Sequence, residues 1–277
     1  MPNSVTEMVT VHIPAQFNFL APISIDGLVR MGSKNDGGYV VPRIAIDNAE
    51  CLLSFGLSDN WSFDEQFLRE NPKVTINAYD HTVSMGTFFV KATAYIVLVL
   101  AGKRPFVLLK NRFFAIFKYA TFFKKEGGPK HYKERVCNIK SGKNDATIDE
   151  IFERVATKNV FLKCDIEGDE YGIMGGILDQ SSKIICIAIE FHDINKSRLV
   201  FEQVVKKIQD TYEIVHLHAN NFGGVSADGL PDALEITFLR KDLCPVALNT
   251  QRSTLPLEGL DEKSFIEKPD FRLEFTL

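Results

Sequence analysis

The chain has 277 residues, 45% of them hydrophobic and 25% charged, the make-up of a globular protein with length for one large domain or two small ones. Its formal net charge of −4 runs against a whole-protein nucleic-acid binder, which is usually basic, so no nucleic-acid partner is expected. Five cysteines (Cys51, Cys137, Cys164, Cys186, Cys244) form no CxxC pair and mostly sit in apolar runs, as small buried hydrophobes in a reducing compartment would. The opening MPNSVTEMVTVHIPAQ has neither a basic n-region nor an unbroken apolar h-region, and a cytoplasmic location is the expectation.

From Cys51 onward, short β-type runs alternate with longer helical segments, the pattern of an α/β fold with a largely parallel sheet. The runs Cys51–Phe55, Val74–Tyr79, Val136–Ile139, Val160–Cys164, Ile184–Glu190, Tyr212–Leu217 and Leu234–Leu239 predict a seven-stranded sheet. Apolar spacing with N-terminal caps predicts helices over Ser62–Glu70, Thr147–Ala156, Asp169–Leu178 and Ser197–Thr211, on both faces of that sheet. The long loop Ala219–Ala233 would let the last strand return antiparallel at the sheet edge. One domain over 1–277 is expected, with an N-terminal extension over 1–50 and a helical insertion over about 82–135.

Within that insertion, Phe88–Gly102 is strongly apolar but contains Lys91, and its uncharged run falls short of the ~20 residues that span a bilayer. Lys103–Arg135 then carries ten Lys/Arg against Glu126 and Glu134, inside a chain that is otherwise acidic. Phe106, Leu109, Phe113, Phe117, Ala120 and Phe123 recur at helical spacing, predicting an aromatic-faced, basic-flanked helix. It would cap the core, or act as a lid that recruits an anionic acceptor or rests on an anionic membrane surface.

The chemistry is expected at the carboxyl ends of the strands, where doubly wound sheets hold nucleotide-like ligands. Gly56 follows the first strand and would let backbone and ligand approach closely, although one glycine is not the GxGxxG of a dinucleotide site. Asp80 ends the second strand, 24 residues after Gly56, where an acid can accept both hydrogen bonds of a ribose diol. Asp165 and Glu167 share a face beyond the fourth strand, Glu190 and His192 beyond the fifth, and His216 and His218 on the sixth. Asp165, Glu190, His192, His218 and Asn220 would therefore converge on one rim.

In that order SFGLSDNWSFDEQF, AYDHT, FLKCDIEGDEYGIM, IEFH, HANN and DALEITF, preceded by the DGGY of Asp36–Tyr39, resemble the FkbM-like methyltransferase family from about Arg30 to Lys241. The resemblance implies the Rossmann-like class I methyltransferase fold, S-adenosylmethionine as cofactor, and O-methylation of a hydroxyl on a sugar, glycan or natural product. By position, Phe55, Gly56, Ser58 and Asp59 would line the methionine end of the cofactor, Asp80 with His81 beside it the ribose, and Asp165 the amino-acid end or the reaction centre. Asp36, Gly37, Gly38 and Tyr39 would close the pocket. For a hydroxyl acceptor, His192 or His218 would take the proton, or Mg²⁺ or Mn²⁺ held by Asp165, Glu190 and His218 would acidify it.

Other readings predict features that differ. An NAD-dependent oxidoreductase calls for a glycine-rich loop after Phe55, and a hydrolase for a GxSxG elbow; neither is in the sequence. A non-catalytic module that binds a membrane or polyanion through the basic insertion is the alternative.

Overall fold

The computed structural model describes residues 8–87, 93, 116–245 and 250–277. The chain opens with β1 (Met8–Ile13), a 3-10 turn at Ala15–Leu20, the hairpin β2 (Leu28–Gly32) and β3 (Gly38–Pro42), and the short helix α1 (Arg43–Asn48). Next come β4 (Cys51–Phe55), α2 (Ser62–Glu70) and β5 (Thr75–Tyr79). After the insertion follow β6 (Lys130–Tyr132), β7 (Arg135–Cys137), β8 (Asp145–Thr147) and α3 (Ile148–Glu153). The remainder is β9 (Val160–Cys164), α4 (Glu170–Asp179), β10 (Ile184–Phe191), α5 (Arg198–Ile208), β11 (Tyr212–Ala219), β12 (Leu234–Arg240), β13 (Thr254–Leu255) and β14 (Asp270–Phe275).

Seven of these strands form one sheet in the order β11-β12-β10-β9-β4-β5-β6. Its neighbours are parallel from β10 through β6, while β12 runs antiparallel to both β10 and β11. A reversal of strand order at β4, with an antiparallel strand slotted between the last two parallel ones, is the Rossmann-like class I methyltransferase layout. β12 is antiparallel as expected, but it lies inside the sheet, and β11 forms the edge.

Strand periodicity explains why two separate cores form. Along β9, Val160, Leu162 and Cys164 join one apolar cluster and Phe161 the other, and on β4 Leu53 and Phe55 are divided from Leu52 in the same way. The first cluster takes in α3, α4 and α5; the second takes in α1, α2 and the β2/β3 hairpin, so helices cover both faces. Strands buried on both sides read as near-continuous apolar runs, which is why these were legible. Thr147 starts α3 with a capping box, its hydroxyl accepting from Glu150 N–H while its own N–H donates to the Glu150 carboxylate.

Three expectations are corrected. The edge strand beside β5 is Lys130–Tyr132, drawn from the insertion, whereas Val136 belongs to β7, which pairs with β8 in a separate two-stranded sheet. Residues 8–48 are more than an extension: β1 pairs in parallel with β14, and Val11, Ile13, Phe17 and Leu20 are part of the first core. In the described part of the insertion, residues 116–123 are helical, but Ile116, Tyr119 and Phe123 form the buried face against Leu57, Trp61 and Val83, and Phe117 is 64% exposed. The apolar run Phe88–Gly102, apart from Thr93, and the basic run to residue 115 lie outside the described residues. Among the described residues no helix is long and apolar enough to cross a membrane.

Among the described glycines, Gly56, just beyond β4, makes the tightest backbone approach. Its φ is +79°, and a Cβ placed there would lie 1.6 Å from the backbone oxygen of Asp165. Gly56→Ala is expected to destabilise the fold by ~4 kcal/mol, at the upper end for a single substitution, read as a fall in the urea midpoint with unchanged slope.

Candidate active site

A cavity of about 880 Å³ opens over the carboxyl ends of β4, β5, β9 and β10, with Gly56, Ser58, Asp59, Asp80, His81, Asp165, Glu190, His192 and Asn220 among its lining residues. It falls within the size range of small-molecule and cofactor pockets. Sequence reasoning thus placed most of its candidates on one rim. Phe55, Gly38 and His218 do not line the cavity.

Each of these three has a structural occupation. Phe55 is fully buried, with its ring edge-on to Tyr79. Gly38 sits beneath the Arg30 side chain, where a Cβ would come within 2.2 Å of Ser33 O and 2.5 Å of the guanidinium. Arg30 donates from there to the carbonyls of Ser33, Lys34 and Asn35, so this glycine serves the loop that carries Asp36. His218 is 1% exposed, with Nδ1 3.4 Å from Glu235 and Nε2 3.5 Å from Asp270. Burial alone would lower its pKa, but hydrogen bonding and charge from Asp270 and Glu235 raise it well above the ordinary histidine value. Both ring nitrogens thus face protein carboxylates away from the cavity lining, and His218 joins β11 to Glu235 and Asp270.

Gly56 lines the cavity, yet the backbone it must approach is that of Asp165 rather than a ligand's. Asp80 is likewise committed to the protein. Leu57 N–H and Ser58 N–H donate to its Oδ2 at 3.0 and 2.9 Å, while the N–H and hydroxyl of Thr82 donate to Oδ1 at 2.7 and 2.6 Å. A carboxylate offers about four acceptor sites, and all are used here. Burial would raise its pKa, but these four bonds outweigh that and lower it. Asp80 therefore shapes the 57–59 turn, where Ser58 has φ +49°, and a ribose diol would reach it only by displacing Thr82.

The polar centre lies between β9 and β10. Asp165 Oδ2 accepts from the Tyr39 hydroxyl at 3.1 Å and lies 3.5 Å from Lys163 Nζ, which donates to Gly56 O at 2.9 Å. The DGGY segment thus reaches the site through Tyr39, which orients Asp165. Glu190 is 2% exposed and accepts from Asn220 Nδ2 at 2.7 Å. Burial, then the charges of Asp165 and Glu235, push its pKa well up. Glu235 is its cross-strand partner on β12 and faces His218 on β11, which places Glu190, Glu235 and His218 in one row.

His192 Nδ1 is 3.0 Å from Glu170, while Nε2 points between Glu190 Oε1 at 3.5 Å, Glu167 Oε2 at 3.8 Å and Asp165 Oδ1 at 4.0 Å. Burial works to lower its pKa; the Glu170 hydrogen bond and the charges of Glu190, Glu170 and Asp165 overcome that and raise it to about 9. Glu170 was readable only as a charge suited to a helix start. It is in fact fully buried, and it also accepts from the N–H groups of Ile166 and Gly168. Lys163 was missed, although it is two residues before Asp165 and shares its side of the strand.

Asp80→Asn replaces acceptors with an amide whose N–H groups face other donors. A loss of ~2 kcal/mol is expected at pH 7, from the bonds made to a charged acceptor. Because the folded-state pKa is depressed, that contribution is complete above the unfolded value and is lost as pH falls through the folded one. The gap between wild type and Asp80→Asn in chemical denaturation should therefore narrow steadily below about pH 4.

No family model matches the chain, and no curated protein matches it. Among solved structures it is similar to the Methanococcus jannaschii fibrillarin pre-rRNA processing protein, at 8% identity and TM-score 0.37 over 71% of this chain and 69% of that one. It is similar to a precorrin-6Y C5,15-methyltransferase from Geobacter metallireducens at 10% identity and TM-score 0.36, over 72% and 87% of the two chains. It is also similar to TrmK of M. capricolum in complex with S-adenosylhomocysteine, at 12% identity and TM-score 0.35, over 72% and 66%.

Proposed function

We propose that the protein is an S-adenosylmethionine-dependent methyltransferase that methylates a hydroxyl oxygen on a small-molecule or glycan acceptor. The observation that carries this reading is the sheet order, with antiparallel β12 between β10 and β11, together with an open cavity at the tips of β4, β5 and β9. The residues present fit the cofactor. Its volume is accommodated, and Asp36, Asp59 and Asp165 in the lining suit a ligand that carries an ammonium and a sulfonium. Leu57 and Ile166 add apolar wall for a base.

When bound, S-adenosylmethionine supplies a methyl group on a positively charged sulfur, open to in-line displacement by an oxygen. The task left to the protein is to hold that oxygen in line and to receive its proton. Asp165 is the acceptor at hand, with His192 beside it and Glu190 held toward its protonated form. Tyr39, Lys163 and Asn220 keep the two carboxylates in place.

The mouth of the cavity favours a ring-shaped acceptor. Phe222 and Phe265 both line it and lie edge to face at 5.6 Å, with Phe222 67% exposed. Buried Asn221 clamps the two loops together, donating to the carbonyls of Phe265, Lys268 and Pro269 and accepting from Phe265 N–H. Such rings offer flat apolar surface beside the carboxylates of Asp193 and Asp232, which suit hydroxyls and repel a phosphate backbone.

Calorimetric titration tests the cofactor class. S-adenosylmethionine and S-adenosylhomocysteine should each bind wild type at one site per chain, NAD should not, and Asp80→Ala should weaken both by at least ~10-fold through loss of the 57–59 turn. Binding of neither by folded wild type would overturn the reading.

A further inference from the structure

We infer that Asp165, Glu190 and His192 form a divalent transition-metal centre at the floor of the cavity, with Glu170 as the outer carboxylate that aims the histidine. One ligand atom from each of the three lies within 4.8 Å of the others. Carboxylates alone gather at many surfaces without an ion; the orientation of the imidazole is what distinguishes this group.

His192 Nδ1 meets Glu170, whose side chain is fully buried and is itself fixed by the N–H groups of Ile166 and Gly168. A carboxylate on the far ring nitrogen is the arrangement that orients metal-binding histidines and raises their basicity. It leaves Nε2 facing Glu190 Oε1, Glu167 Oε2 and Asp165 Oδ1 at 3.5, 3.8 and 4.0 Å. These separations are too long for strong hydrogen bonds, whose donor-acceptor distances run to ~3.2 Å. They match ligand atoms arranged around one cation at ~2.1 Å from each, which stand ~3–4 Å apart.

Glu190 Oε1, which faces Nε2, also accepts from Asn220 Nδ2. Asp165 turns Oδ2 to Tyr39 and Lys163 and keeps Oδ1 for the centre. Exposed Glu167, which has φ +58° at the turn before α4, is placed to add a further oxygen from the cavity side. Two carboxylates with one imidazole suit Mn²⁺, Fe²⁺ or Zn²⁺ better than Mg²⁺ or Ca²⁺, which prefer oxygen alone. The ion would displace the proton that otherwise sits on Nε2. It would also present open positions to the cavity, where an acceptor hydroxyl loses its proton more readily. Only that last role rests on the methyltransferase reading; binding of the ion does not.

Mn²⁺ alone is the probe. Titrated into metal-stripped wild type, it should lose its free-ion electron paramagnetic resonance signal up to one equivalent per chain, and pulsed spectra should show coupling to one histidine nitrogen. Glu190→Gln should abolish this, and Glu170→Gln should weaken it ~10–100-fold. Since both residues are buried, His192→Gln, whose side chain is 21% exposed, is the second variant: folded by circular dichroism, it should bind without nitrogen coupling and more weakly. An undiminished free-ion signal with folded wild type, or bound Mn²⁺ with no nitrogen coupling, would overturn the inference. S-adenosylhomocysteine titrated into the same samples separates the two ideas: cofactor binding without Mn²⁺ sinks the metal centre alone, and Mn²⁺ binding without cofactor sinks the methyltransferase reading alone.

Discussion

Carboxylates gathered where parallel strands end have to be compensated, and most of the polar architecture of this protein follows from that. Asp165, Glu170, Glu190 and Glu235 converge near the tips of β9, β10 and β12, three of them nearly or fully buried. Isolated buried carboxylates are costly, so each is met by a cation or by hydrogen-bond donors. Lys163 and Tyr39 meet Asp165, Asn220 meets Glu190, His192 meets Glu170, and His218 meets Glu235 and Asp270. Burial, with the charges of Asp165 and Glu235, holds the Glu190 carboxyl toward its protonated form.

The compensators come from distant parts of the chain, and this ties the fold to the site. Tyr39 arrives from the β2/β3 hairpin, while Asp270 begins β14, which also pairs with β1. His216 makes a similar buried contact with Asp261, at 3.1 Å, and that partnership pulls the Asp261 pKa down to about 2 against the effect of burial. The C-terminal segment is therefore fastened to β11 by two histidine-carboxylate contacts. Asn221 fastens the neighbouring loop, and with it Phe265, to the mouth of the cavity. Ser264 and Phe265, downstream of β12, thereby line the cavity.

Glycine and aspartate at the strand tips serve geometry before chemistry. Gly56 admits the Asp165 carbonyl, Gly38 admits the Arg30 side chain, and Asp80 gathers four donors to hold the next turn. Each had a ligand-facing interpretation from position alone. In each, a protein group already fills the space or the lone pairs that the ligand was expected to use.

What the sequence determined by itself was whatever depends on local periodicity and on position along a strand. β4 and β9 have the predicted bounds because doubly buried strands are near-continuous apolar runs, and α2 does because its apolar residues recur at helical spacing. Asp165, Glu190 and His192 were legible because a residue at the tip of a parallel strand is carried to the same rim whatever surrounds it. Only the tertiary structure decided which strand fills the far edge, since Lys130–Tyr132 has no apolar run and is a strand by virtue of pairing with β5. It likewise decided between His192 and His218. Both stand at strand tips in the sequence, but Asp270, 52 residues downstream, faces one ring away from the cavity lining, while Glu170 holds the other where it lines the cavity. Partners that distant leave no periodic trace, because their contact depends on how the chain returns and not on the residues beside them.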